Sequence, residues 1–309
     1  MKKLLLVVVL IGSMTNFVFA GDLSQKVVDH LQTVAVTVKC ERKGSGSGIV
    51  KTRQRGKEYV SFVWTAAHVV EGLRKTREIV DGKTGSKKTI IEFEDPKVIQ
   101  VLVEDGRTLG KLEVDARVIR YNSEEDFALL RVRRKNFMID SVKFYLKDEI
   151  PHIGNGLIHV GSLLGIEGSN SLTTGIISQI GRLDEGKVFD QTTCTAFPGS
   201  SGGGVYLQSD GSLVGMILRG RSETFNFMAP VRRIAKWAKS AKVEWAIDDN
   251  IPLPSDKELD EMIVEDNGSV VLPYPFNHGS KQSNNLFFKF EEKDNGKNDL
   301  LLRLLQSIL

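Results

Sequence analysis

The sequence has only two cysteines in 309 residues, Cys40 and Cys194. That number excludes a disulfide-dense scaffold and a cysteine-rich zinc module. It also lacks an excess of either charge, with 42 Lys and Arg against 39 Asp and Glu. With 41% apolar side chains and so small a net charge, disorder as the main state is excluded. No basic stripe runs along the chain, so nothing in the charge pattern calls for a nucleic-acid partner. There is no internal repeat of fixed period, and no alternation of strands with helices of the kind that builds parallel sheets. Glycine, by contrast, is plentiful. Its 29 occurrences, about 9% of the chain against the ~7% usual in proteins, imply many tight turns.

The near-neutral total hides a division. Residues 1–20, MKKLLLVVVLIGSMTNFVFA, have a basic start at Lys2 and Lys3, an apolar run, and Val18 and Ala20 before a cleavage point. This is the pattern of a secretory signal peptide, and the expectation is an exported protein, periplasmic or secreted, with no membrane span after cleavage. The alternative is an uncleaved N-terminal anchor, because the run is only slightly short of a span. Residues 241–309 carry 7 basic and 13 acidic side chains, so the segment between is basic and the last segment acidic.

Residues 22–32 space their apolar side chains as a short helix does, with Asp22 or Ser24 as its cap. From TVAVTVKCE to about residue 235 one short alternating segment follows another, broken by Gly, Asp and Asn. That pattern predicts an all-β sandwich or barrel in two units of comparable size, 21–145 and 146–240. Short helical stretches are expected at AAHVVEGLRK and at 230–240. IPLPSDKELDE reads as a linker, since Pro252 and Pro254 block regular structure. The terminal DLLLRLLQSIL has an amphipathic stripe at helical spacing.

Three segments carry chemistry, in the order WTAAHVV with His68, SEEDFALLRV with Asp126, and FPGSSGGGV with Ser201. A serine needs a base to take its proton, because the free hydroxyl is a poor nucleophile at neutral pH. The base needs a carboxylate to hold its tautomer, and the developing oxyanion needs donors such as the unhindered amides of a Gly-rich turn. Each piece alone is weak. His30, His152, His159 and His278 read as structural or surface residues, and GSSGGG alone could be a flexible turn. Motif, order and all-β setting agree only for the combination.

On these residues the chain resembles the trypsin/chymotrypsin-fold serine peptidases, and in particular their HtrA-like branch. TAAHVV resembles the family's histidine motif, DFALLRV its aspartate motif and PGSSGGG its nucleophile motif. GSGSGIV at 44–50 and SLLGIEGSNSLTTGIISQIGR resemble two further stretches of the same branch, so the likeness covers about residues 24–240. It implies two antiparallel β-barrels (chymotrypsin-like) with short helices and a C-terminal extension. It also implies a serine endopeptidase acting on proteins or peptides with no metal or organic cofactor. The roles follow the general serine-protease triad: Ser201 as nucleophile, His68 as base, Asp126 as its orienting carboxylate, and the amides of Gly199 and Ser201 as the oxyanion hole. The order of the three also argues against α/β-hydrolase and subtilisin architectures.

The chain departs from the pattern in places. Ser200 stands where the family has Asp or Asn, and Gly204 stands where it has Pro. No IVGG-like start is present, so activation by insertion of a new N-terminus is not expected. By alignment Thr195 and Ala196 form the base of the primary pocket, with Leu218, Arg219 and Gly220 as its wall and Phe227 nearby. With no acidic residue at the base, a small or medium uncharged P1 side chain is expected. The tail, 241–309, shows no PDZ-like pattern. It reads as a packing strap over the barrels with a frayed end, or as an oligomerisation or docking segment. Cys40 and Cys194 could form one bond across the two units, and the pairing stays open. So does the oligomeric state. The alternative to an enzyme is a catalytically silent homologue that binds proteins, an option that Ser200 and Gly204 keep open.

Overall fold

The computed structural model describes residues 24–41, 44–80, 85, 87–104, 107–262 and 264. The leader at 1–20, most of the acidic extension and the DLLLRLLQSIL segment lie outside the described residues. Helix α1 (Gln25–Thr33) follows Ser24, whose side chain makes no capping bond, and seats Leu31 in the core. Strands β1 (Ala35–Cys40), β2 (Gly44–Arg55) and β3 (Glu58–Thr65) come next. After α2 (Ala67–Val70) they are followed by the hairpin of β4 (Arg74–Val80) and β5 (Lys87–Phe93), which forms a two-stranded sheet of its own. Strands β6 (Lys97–Glu104), β7 (Arg107–Asn122) and β8 (Phe127–Val132) complete a closed barrel in the order β1-β2-β3-β8-β7-β6.

A second closed barrel is built from β9 (Gly156–Leu163), β10 (Gly168–Asp184), β11 (Lys187–Thr192), β12 (Gly204–Leu207), β13 (Leu213–Ser222) and β14 (Phe225–Pro230). Its order is β10-β11-β14-β13-β12-β9, and every pairing in both barrels is antiparallel. This is the all-β, double-barrel fold that the sequence predicts. Closure leaves neither barrel with an unpaired edge strand.

The chain then forms α3 (Val231–Ser240), a single turn of 3-10 helix at Glu244–Ala246, and α4 (Asp256–Asp260). These elements explain why β2 and β3 are buried on both faces. Directly paired residues of antiparallel strands share a face, so Ile49, Lys51 and Arg53 lie beside Trp64, Phe62 and Val60 on the outside of the barrel. Over them lie Trp245, 4.7 Å from the Phe62 ring, and Trp237, 5.6 Å from the Trp64 ring. Trp64 Nε1 donates to Ala246 O at 2.9 Å. Arg53 donates to the main-chain oxygens of Trp245, Asp248, Asp249 and Ile251, and Lys51 reaches Asp249 at 2.8 Å. The segment 244–262 is therefore the packing strap, held by apolar contact and by cations from the barrel wall.

One expectation needs correction. IPLPSDKELDE is not without regular structure, because Ser255 and Glu258 form a reciprocal capping box that starts α4 directly after Pro254. The prolines end before the helix begins, so they do not oppose it.

Candidate active site

Topology brings the first two candidate residues together. The end of β3 pairs with the start of β8, Thr65 opposite Ala128, so whatever follows Thr65 meets whatever precedes Phe127. His68 lies on α2 just past β3, and Asp126 immediately precedes β8. The Asp126 carboxylate accepts from the main-chain N–H of His68 at 3.0 Å and lies 2.9 and 3.0 Å from His68 Nδ1. This pairing leaves Nε2 as the nitrogen free to act as a base. Asp126 adopts φ +59°, a left-handed conformation that costs on the order of 1 kcal/mol and that Asp tolerates better than most residues. Desolvation lowers the His68 pKa, but the charge and hydrogen bond of Asp126 outweigh it. The net shift is upward, with Arg219 opposing it.

Ser201 lies in the turn that leads into β12, on the second barrel. The turn is pressed against the first barrel by Ser47 of β2, which is fully buried. Ser47 N–H donates to Ser201 O at 2.8 Å, and Ser47 Oγ donates to Gly199 O at 2.7 Å while accepting from Ser162 N at 2.7 Å. Gly202 has φ +87°, and a Cβ there would run into Ser47 O and Thr65 Oγ1. Only glycine fits.

The carbonyls of the turn are all tied back. Pro198 O accepts from Leu164 N at 2.7 Å, Gly199 O from Ser47 Oγ, Ser200 O from Gly203 N at 2.9 Å, and Ser201 O from Ser47 N. Ser200 N–H donates to Phe197 O at 2.9 Å, and Ser200 Oγ accepts from Phe197 N at 3.1 Å. The main-chain N–H groups of Gly199 and Ser201 have no acceptor among the described residues. A trans peptide points its N–H opposite its C=O, so anchoring the Pro198 and Ser200 oxygens aims these two donors away from their anchors. Two fixed, unpaired amides two residues apart are suited to a developing negative oxygen. No hydrogen bond joins Ser201 Oγ to His68 among the described residues, and such contacts are commonly long in free enzymes and tighten on substrate.

Of the residues that the sequence assigns to a substrate pocket, Thr195 O accepts from Thr173 Oγ1 at 2.9 Å, and Ala196 is buried. Leu218 is buried within the main core, and Gly220 pairs with Asn226 on β14. Arg219 turns to Asp184 and Glu185, at 2.5 and 2.7 Å, and lies 5.2 Å over the Phe189 ring. Cys40 and Cys194 are both free and buried. Cys40 Sγ donates to Val69 O at 3.1 Å, beside His68, and burial pushes its pKa up to about 12 and that of Cys194 up to about 11. Among the described residues no group of three or more His, Cys, Asp or Glu could hold a metal, and no helix is long and apolar enough to cross a membrane. Sequence reasoning missed Ser47 and Leu164, whose contacts join positions over 30 residues apart and leave no periodic trace.

Comparison with known proteins agrees with the double-barrel fold. The model of the trypsin-like peptidase domain matches residues 46–216, more than half of the chain. A serine protease Do-like HtrA from Lactobacillus helveticus is 28% identical over 185 residues, which are 58% of this chain and 36% of that protein. The chain thus spans about a third of the length of that curated relative. Among solved structures, Deg5 superposes with a TM-score of 0.51 at 18% identity, covering 72% of this chain and 95% of its own. A serine endoprotease from Yersinia pestis gives 0.51 at 19% identity, covering 71% of this chain and 66% of its own.

Proposed function

The chain belongs to the trypsin-like peptidase domain family, and from that membership we propose that it is a serine endopeptidase working through Ser201, His68 and Asp126. Ser201 Oγ attacks the scissile carbonyl carbon while His68 Nε2 takes the hydroxyl proton. Asp126 holds the ring through Nδ1 and stabilises the imidazolium. The carbonyl oxygen, now an anion, accepts from the N–H groups of Gly199 and Ser201. His68 then gives its proton to the leaving amine, and water, activated by the same ring, releases the acyl group from Ser201.

The observation that carries this reading is the turn at 198–201. Four consecutive carbonyls are anchored in protein, and the two amides in the oxyanion positions are left without partners. Donors fixed before the reaction need no reorganisation as charge develops. The pocket floor at Thr195 and Ala196 carries no carboxylate, which favours a small or medium uncharged P1 side chain. Export through the leader at 1–20 is part of the proposal, with anchoring by the same segment as its alternative.

Labelling with a fluorophosphonate, followed by mass mapping of the modified peptide, tests the proposal. The label is expected on Ser201, to persist in Ser200→Ala and to vanish in Ser201→Ala, in His68→Ala and after heat denaturation. A folded protein that takes no label at Ser201 would overturn it in favour of a binding role.

A further inference from the structure

Among the groups that the reaction scheme leaves unused, Arg233 is the buried cation held by the turn that carries Asp126. It lies on α3, the helix that leaves the second barrel after β14 and packs against the first, and it is 8% exposed. Arginine is almost never buried without a partner, because its charge is expensive to desolvate. Here Nε donates to Glu125 Oε2 at 2.7 Å and Nη2 to Glu125 O at 2.6 Å. The guanidinium also lies over two rings, 5.1 Å from Phe127 of the first barrel and 4.7 Å from Phe189 of the second.

These contacts surround one residue. Glu125 precedes Asp126, and Phe127 follows it. Glu125 N–H is held in turn by Asn122 Oδ1 at 2.6 Å. Asp126 between them keeps a left-handed backbone that an ordinary turn would relax. His68 and Asp126 belong to the first barrel and Ser201 to the second, so proton transfer depends on how the barrels are held together.

We propose that Arg233 is a positioning residue of the active site, pinning α3 to the turn that carries Asp126 and so fixing the His68–Asp126 pair against Ser201. It touches no reacting atom and acts through Glu125 and Phe127. The inference rests on the reading of His68, Asp126 and Ser201 given above.

The test compares the full-length protein with Arg233→Met and Glu125→Ala by two measurements. The first is the rate of fluorophosphonate labelling of Ser201 across the pH range in which histidine titrates. The second is the His68 pKa, followed by NMR of carbon-labelled histidine, with near-ultraviolet circular dichroism to verify the fold. The charged groups that bear on His68 are Asp126 and Arg219, and those that bear on Arg233 are Glu125, Asp126 and Arg219. A displacement of catalytic groups by even about 1 Å can lower rates a hundredfold, so Arg233→Met is expected to label at least about tenfold more slowly.

Its His68 pKa is expected to fall as the Asp126 carboxylate slips from Nδ1. Loss of a positive charge alone would raise that pKa, so a rise with labelling unchanged overturns the proposal. Glu125→Ala keeps the main-chain oxygen that accepts from Arg233 Nη2, so the buried guanidinium retains one partner, and its circular dichroism is read alongside. Should Arg233→Met fail to fold, Glu125→Ala decides through labelling alone, at least about tenfold slower labelling being expected, because loss of the Glu125 charge by itself lowers the His68 pKa. If the wild type labels and both folded variants match it, the pin fails and the peptidase reading stands. If the wild type does not label but the His68 pKa falls in Arg233→Met, the peptidase reading fails, and with it the catalytic role of the pin, while the hold of Arg233 on the turn of Asp126 is retained.

Discussion

The Ser47 hydroxyl donates to the turn that holds Ser201 and accepts from the strand end beside it. Ser47→Ala would leave Gly199 O and Ser162 N buried without partners, at about 1–3 kcal/mol each. The Gly199–Ser200 peptide, which links the two peptides that carry the proposed oxyanion donors, would then lose its anchor. A fall in kcat of about tenfold is expected, less than the roughly hundredfold or greater cost of losing a donor outright, with KM changed far less. Steady-state kinetics on a peptide substrate checks it, and an unchanged kcat in a folded variant would show that the turn holds itself. His159 offers a second test at the same scale. It is fully buried, with Nδ1 2.9 Å from Gly204 O and Nε2 without a partner. Burial lowers its pKa to about 4 from 6.5, despite the hydrogen bond to Gly204 that opposes the shift. Between these values the unfolded chain binds the proton and the folded chain does not, so stability declines as pH falls through that window. The loss accumulates to about 3 kcal/mol by pH 4. Denaturant titrations at several pH values should show this slope in the wild type and a shallower one in His159→Gln.

At the scale of elements, strands were legible because alternation along each is a local property, and the motifs around His68, Asp126 and Ser201 announced themselves in the same local way. Ser47 was not, because its partners Gly199 and Ser162 are brought to it only by the docking of two barrels. Arg233 was hidden for a different reason. In PVRRIAKWAKS, helical spacing marks Val231, Ile234 and Trp237 as the buried stripe, and nothing local says that two aromatic faces and a glutamate will receive a cation as well. Helix α4 was readable: Ser255 and Glu258 have the spacing of a capping box, but the two prolines before them dominated the reading. The strap yields a prediction of its own. A chain ending at 240, where the β pattern stops, loses Trp245 from the Phe62 ring and all four oxygens that hold Arg53. One ending after Met262 keeps them. The shorter form is expected to bind a hydrophobic dye and to lose its cooperative melting transition, the longer to melt like the parent. Calorimetry of the two decides whether the strap belongs to the folding unit.

For the whole molecule, two antiparallel barrels divide the proposed site, with His68 and Asp126 on one and Ser201 with the unpaired amides of Gly199 and Ser201 on the other. On the proposed scheme the contact between barrels is part of the chemistry; Ser47 lies on it beside Gly199 and Ser201, and Arg233 beside Glu125, Phe127 and Phe189. The likeness to Deg5 and to the Yersinia pestis endoprotease, both under 20% identical, concerns this architecture. Alternation along the strands left sandwich and barrel both open, and it was the likeness of the three motifs to the trypsin-like family that pointed to two closed barrels.

Neither barrel is cross-linked. Cys40 and Cys194 sit as small apolar side chains in separate barrels, sealed from solvent and from each other. The described fold is therefore indifferent to the thiol–disulfide balance of its surroundings. It can mature in a reducing or an oxidising compartment without an isomerase, and oxidants reach its thiols only when a barrel opens.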